Sequence, residues 1–175
     1  KMLRKIYGTP VKYDGPLSSE HTEYVGEAWQ GFWQEMCYMG VDCLGICKYH
    51  TVFLGATLPN FEDWPKVLYY NTGLELTPRE IWDAAERANM MERLFNLREG
   101  LTRDDLKKGD MLNHRYFDEP TRRGAPDVVG LVIDREKFKK MVDEFYEYKG
   151  LDKNGVPKPE TLKRLGLENE PSHML

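Results

Sequence analysis

Tyr24-Val25-Gly26-Glu27-Ala28-Trp29-Gln30-Gly31-Phe32-Trp33-Gln34-Glu35-Met36-Cys37-Tyr38-Met39-Gly40 is the stretch that decides the fold class of this chain. Tyr24, Ala28, Trp29, Phe32, Trp33 and Met36 recur at steps of three and four residues, which places them on one face of an α-helix. So broad an aromatic stripe is core packing before it is anything else. Ser18 or Ser19 stands where a cap is expected, and Gly40 is expected to end the helix near Met39. Upstream, Gly8, Pro10, Gly15 and Pro16 mark residues 1–17 as an irregular opening segment.

Helical punctuation continues downstream. Asn60 is expected to cap a helix over Phe61–Tyr70, with Gly73 past its end. Thr77-Pro78 is a strong start, a cap followed by proline at the first helical position. Its helix should run through Ile81, Trp82, Ala85, Ala88 and Leu94 to about Leu97 and end near Gly100. From Leu101 to Asp127 the chain is charged and turn-rich, with one helical turn expected near Leu112–Tyr116. Val128–Ile133 is strand-like but short enough to be an extended connector. Asp134 then caps Arg135–Lys149, with Phe138, Met141, Val142 and Phe145 inward and Gly150 as the stop. A last helix over Pro159–Leu165 precedes a polar tail, 168–175, expected to fray. The expectation is a mainly α, irregular multi-helix domain over residues 18–167.

Composition narrows the function classes. In 175 residues, 41% are apolar and 31% charged, a globular balance with room for one domain. No apolar run approaches the ~20 residues of a membrane span, and residues 1–17 lack a signal-peptide core. A formal charge of −4 argues against nucleic acid, because that affinity rests on neutralising phosphates. Three cysteines, Cys37, Cys43 and Cys47, do not resemble a secreted disulfide framework; reduced thiols in the cytoplasm fit better. The start at Lys1-Met2 suggests a piece of a longer polypeptide.

The chemistry-bearing stretch is Asp42-Cys43-Leu44-Gly45-Ile46-Cys47, with His50 just beyond. One thiol cannot hold an iron–sulfur cluster, which takes about four protein ligands. The thiols with His50 have the ligand count of a Cys3His zinc site, but lack the usual Cys-x2-Cys or Cys-x4-Cys pairing. A nucleophilic Cys47 with His50 as its base is unusual for sequence neighbours. Taken singly, Asp42 reads as a helix cap and Gly45 as a turn glycine.

Taken together, these residues read differently. Asp42-x-x-Gly45-x-Cys47 resembles the Asp-x-x-Gly-Leu-Cys motif of the tungsten-dependent aldehyde:ferredoxin oxidoreductases, with Ile46 in place of Leu. Glu92-Arg93-Leu94-Phe95-Asn96-Leu97-Arg98-Glu99-Gly100, continuing to Arg103 and Asp105, is similar to a second block of that family. Tyr146-x-Tyr148-x-Gly150-x-Asp152-x-x-Gly155-x-Pro157, then Leu162-x-x-Leu165-Gly166-Leu167, is similar to its closing segment. The three blocks cover about Met39 to Leu167.

The resemblance implies the C-terminal helical domain of a larger enzyme, with a tungsten (less often molybdenum) bis-pterin beside a 4Fe-4S cluster. Asp42 would accept hydrogen bonds from a pterin, as an acceptor-only carboxylate can. Gly45 would let the backbone approach a bulky cofactor, Ile46 would shield the site, and Cys47 would be a thiolate ligand to iron. Three further cluster cysteines, a pterin-cradling domain and the catalytic acid and base would lie upstream, so catalytic residues are not assigned here. The expected partners are those upstream domains, ferredoxin or another electron-transfer subunit, and a small-molecule substrate. The usual activity is oxidation of an aldehyde to a carboxylate; the tungsten subunit of ATP-independent benzoyl-CoA reductase is a variant. Outside the family, a cofactor-free helical interaction module and a small zinc domain are the rival readings. In the preferred reading, Asp42–Cys47 sits on a surface that the rest of the enzyme covers.

Overall fold

The computed structural model describes residues 24–51, 59–105 and 109–170. Among them the architecture is helical: α1 (Glu27–Leu44), α2 (Trp64–Thr72), α3 (Pro78–Arg98), α4 (Arg115–Asp118), α5 (Arg135–Lys149) and α6 (Pro159–Leu165), with a 3-10 turn at Lys48–His50. No strand forms there. Val128–Ile133 is a turn and connector, held by Gly130 N–H on the Thr121 carbonyl and by Thr121 N–H on the Leu131 carbonyl. The only extended pairing among the described residues is an isolated bridge between Leu151 and Pro157.

Three helices follow their local signals closely. At α3, Thr77 accepts from the Glu80 N–H while the Glu80 carboxylate accepts from the Thr77 N–H, a reciprocal cap over two orphan donors. At α5, Asp134 accepts from Glu136 and Lys137 N–H, and the helix stops at Gly150 as expected. Proline opens α6 and Gly166 closes it.

α1 corrects two expectations. It starts at Glu27, behind Gly26 at φ 81, so neither Ser18 nor Ser19, which lie outside the described residues, caps it. Gly40 does not end it. That glycine is buried inside the helix because a Cβ there would sit 2.7 Å from Trp64 Cζ3 and 3.2 Å from Phe61 Cζ. The helix needs a small residue at this crossing and continues to Leu44. α2 also starts later than expected: Asn60 accepts from Glu62 N–H in a turn, and the helix begins at Trp64 after Asp63. The short helix expected at Leu112–Tyr116 forms slightly downstream, as α4.

Two apolar clusters share α3 as a spine. One joins α1, α2 and the first half of α3 through Phe32, Met36, Phe61, Trp64 and Trp82. In it, Phe61 lies 4.6 Å from Trp64 and 4.9 Å from Trp82, ring centre to ring centre. The second gathers Met90 and Leu94 of α3 with Phe117, Phe138, Tyr146 and Leu165. Met141 and Phe145 of α5 touch both clusters. α1 and α5 run in the same direction: Tyr24 accepts from the Asp134 N–H at their starts, and Lys149 Nζ meets Glu35 Oε1 at 3.0 Å further along. The far end of α1, beyond these contacts, carries the Asp42–Cys47 motif.

Candidate cofactor site

The end of α1 is shaped by backbone hydrogen bonds. Gly45 N–H bonds to the Asp42 carbonyl and Ile46 N–H to the Val41 carbonyl, with Gly45 left-handed at φ 67. This is a Schellman closure, which satisfies the helix's last carbonyls and turns the chain sharply. Gly45 is thus the turn glycine that its residue type suggested, whereas Asp42 lies in the last turn of the helix and caps no helix start. Ile46 packs back on the cluster that contains Val41. Cys47 follows in extended backbone, ahead of the 3-10 turn.

The bend presents its polar groups outward. Asp42, Cys43 and Cys47 are exposed, and nothing lies within 4 Å of where a Gly45 Cβ would point. Lys48 folds back over the bend and places Nζ 2.9 Å from Asp42 Oδ2. The three thiols are unequal. Cys37 is fully buried, and burial pushes its thiol far up, so it is an inert core residue. Cys43 is raised by partial burial and then by the carboxylates of Asp42 and Glu92. All three are free thiols. Among the described residues, no three His, Cys, Asp or Glu side chains are grouped to hold a metal ion. The burial of Cys37 within the core removes it from the Cys3His zinc set; the side chain of His50 lies outside the described part.

The other two motif blocks meet in a polar knot. Arg93 donates from Nη1 to Asp110 Oδ1 at 2.9 Å, and its Nη2 lies 2.8 Å from Oδ2. Its Nε donates to the Gly155 carbonyl at 2.8 Å. The Tyr146 hydroxyl donates to Asp110 Oδ2 in a short bond. A Cβ on Gly155 would fall onto the Arg93 guanidinium and the Tyr146 ring, so glycine is required for this approach. Arg103 closes the knot, reaching the Lys153 carbonyl and the Asp143 carboxylate. These blocks are structural: they fasten the turn after α5 to α3.

A groove of about 1070 Å³ lies elsewhere, between Tyr24, Tyr116, Thr121, Leu131 and Lys137. It shares no residue with the bend.

The family model described as "Aldehyde ferredoxin oxidoreductase, domains 2 & 3" matches residues 4–167. The chain belongs to the aldehyde ferredoxin oxidoreductase family. Tungsten-containing aldehyde ferredoxin oxidoreductase of Pyrococcus horikoshii is 34% identical over 165 residues, 94% of this chain and 24% of the relative. An aliphatic sulfonate oxidoreductase, WOR-like subunit, of Pyrococcus furiosus is 29% identical over 155 residues, 85% of this chain and 23% of that protein. In structure, the chain is similar to the active-site complex BamBC of benzoyl coenzyme A reductase, at TM-score 0.65 and 24% identity, covering 93% of this chain and 22% of that one. The chain spans about a quarter of the length of the curated relatives it matches.

The donor types at the bend, an exposed carboxylate and exposed thiols, are ones that a pterin and an iron–sulfur cluster would take. A cluster ligand would have to be an accessible thiol, which Cys43 and Cys47 are and Cys37 is not. A pterin acceptor must keep a free carboxylate oxygen, and Lys48 meets Asp42 at Oδ2. The sequence motif named Asp42, Gly45, Ile46 and Cys47, which the fold places together at this bend, and gave no sign that Lys48 contacts Asp42. The signal outside the motif is a lysine six residues after the aspartate, beyond the turn glycine. The sequence also left Arg93, Asp110 and Tyr146 without a role, since their meeting spans a separation of 53 positions between α3 and α5.

Proposed function

We propose that this chain is the cofactor-facing C-terminal domain of a tungsten bis-pterin, 4Fe-4S oxidoreductase. The reaction oxidises an aldehyde to its carboxylate, RCHO + H2O → RCOO⁻ + 3H⁺ + 2e⁻, with the electrons passed to ferredoxin. When bound, the tungsten-pterin supplies the two-electron oxidation and the cluster the route outward. The chain's own share is positional. Cys47 offers a thiolate to iron, Asp42 accepts from a pterin edge, Gly45 admits close approach, and Ile46 excludes water from beneath the bend. Tungsten is the expected metal, with molybdenum the less common occupant, and the three unpaired thiols suit a cytoplasmic setting.

One observation carries this reading: Asp42, Gly45 and Cys47 share a single exposed bend at the end of a helix whose apolar face packs into the core, inside the family match. In the full-length enzyme, Cys47→Ala should lose or convert the cluster, seen as lowered iron content and a changed EPR signal. Cys43→Ala should keep both. An intact four-iron cluster in Cys47→Ala would remove the assignment.

The fold likeness to the benzoyl coenzyme A reductase complex supports a second reading, a tungsten subunit that sends electrons into an aromatic ring. Turnover of the full enzyme separates the two. Aldehyde-dependent reduction of a viologen dye supports the first, and oxidation of a reduced dye by an aromatic coenzyme A thioester supports the second.

A further inference from the structure

We infer that Lys48 is a positioning residue for this site, holding Asp42 by one carboxylate oxygen and keeping a positive charge on the residue that follows Cys47. The inference rests on the reading of Asp42 and Cys47 given above. Lys48 is not loose. Its ammonium sits 5.3 Å from the centre of the Tyr38 ring and 2.9 Å from Asp42 Oδ2. The Tyr38 hydroxyl in turn accepts from Gln34 Nε2 at 3.1 Å. Gln34, Tyr38 and Asp42 are four residues apart along α1, so they form one stripe. Lys48 crosses the Gly45 bend to lie on that stripe, with the ring and the carboxylate as two fixed contacts.

As a surface ion pair, Lys48–Asp42 would add little to stability, because its partners are 44% and 54% exposed. Its effect lies in orientation and charge. A carboxylate gripped at Oδ2 has its other oxygen free in a set direction, which suits an N–H-rich ligand edge. An ammonium on the residue after a cluster ligand favours the more negative, reduced state, because cluster potential depends on nearby charge. Coverage of this face by the rest of the enzyme would lower the local dielectric and strengthen both effects.

The test uses the full-length enzyme, prepared without oxygen, with iron and tungsten counted and the cluster titrated by EPR. Lys48→Gln is expected to keep the wild-type metal content and lower the midpoint potential, by about threefold in the one-electron reduction constant, or ~30 mV. Lys48→Arg should restore most of it. Tyr38→Leu, which frees the ammonium, should shift the potential the same way by less, and should add nothing to Lys48→Gln. An unchanged potential in loaded Lys48→Gln overturns the role of Lys48. A Tyr38→Leu shift that adds in full overturns the coupling on which it rests. If Lys48→Gln loads poorly, Tyr38→Leu decides alone, and an unchanged potential there also overturns it. Cys47→Ala run alongside separates the two claims: if it keeps its cluster, the cofactor reading itself fails.

Discussion

Among single residues, glycine stands in three different settings in this domain, and substitution separates two of them. Gly40 lies inside α1 against Trp64 and Phe61, rings that are 1% and 2% exposed and have no room to swing away. Alanine there gains about 1 kcal/mol of helix propensity and loses about 1–3 kcal/mol to overpacking. Gly40→Ala is therefore expected to be less stable by about 1 kcal/mol on balance. Gly31, on the same helix, is exposed, and its Cβ would lie 4.0 Å from Phe145 Cε2. Gly31→Ala should raise stability by about 0.5–1 kcal/mol. Urea denaturation of the two variants checks the pair, and the same sign for both would contradict the packing account. The third setting, the Gly45 bend, is conformational, and its turn glycine is legible in the sequence. Gly40 looked like a helix stop because a packing glycine and a capping glycine are the same letter, and only the rings of Phe61 and Trp64 distinguish them.

At the scale of elements, legibility followed the source of the signal. α3, α5 and α6 were readable because their starts are written locally, in Thr77-Pro78, Asp134 and Pro159. α1 and α2 were misplaced at their ends because tertiary contacts settle them: Gly40 packs, and Asn60 spends its side chain on a turn that precedes the helix. The site was half legible. The Asp42–Cys47 bend is a contiguous motif, while Lys48 reaches Asp42 by a fold-back and Arg93 meets partners far along the chain. The Thr77 cap gives this scale its prediction. Its side chain serves the Glu80 N–H, so Thr77→Ala should lower stability by about 1 kcal/mol, with Thr77→Ser close to wild type. Chemical denaturation of both variants measures it. Equal loss in Thr77→Ser would point to the methyl group and away from the hydrogen bond.

Across the whole molecule, the knot of Arg93, Asp110 and Tyr146 joins α3, the segment before α4, α5 and the turn at Gly155, where the second apolar cluster closes. Arg93 is 8% exposed and Asp110 27%. Arg93→Met should therefore cost about 3 kcal/mol, the low end for breaking a buried pair, because Asp110 keeps some contact with water. The loss should be local: amide exchange should speed up in α5 and α6 before it does in α1, whose core is the other cluster. Acid should act through the same carboxylate. Burial alone would raise Asp110, but hydrogen bonds from Arg93 and Tyr146 and the charge of Arg93 outweigh it and hold the group below its ordinary 3.8. The folded form thus binds that proton less readily than the unfolded chain does. Its contribution is complete above about pH 4, the unfolded value, and is lost as pH falls through the lower folded value. Asp110→Asn lacks this term at every pH. The stability gap between wild type and Asp110→Asn, measured by urea denaturation from pH 7 down to pH 2, should be widest at neutral pH and narrow on acidification. A gap that stays constant would mean that the carboxylate's charge contributes nothing and that Asp110 acts through shape alone.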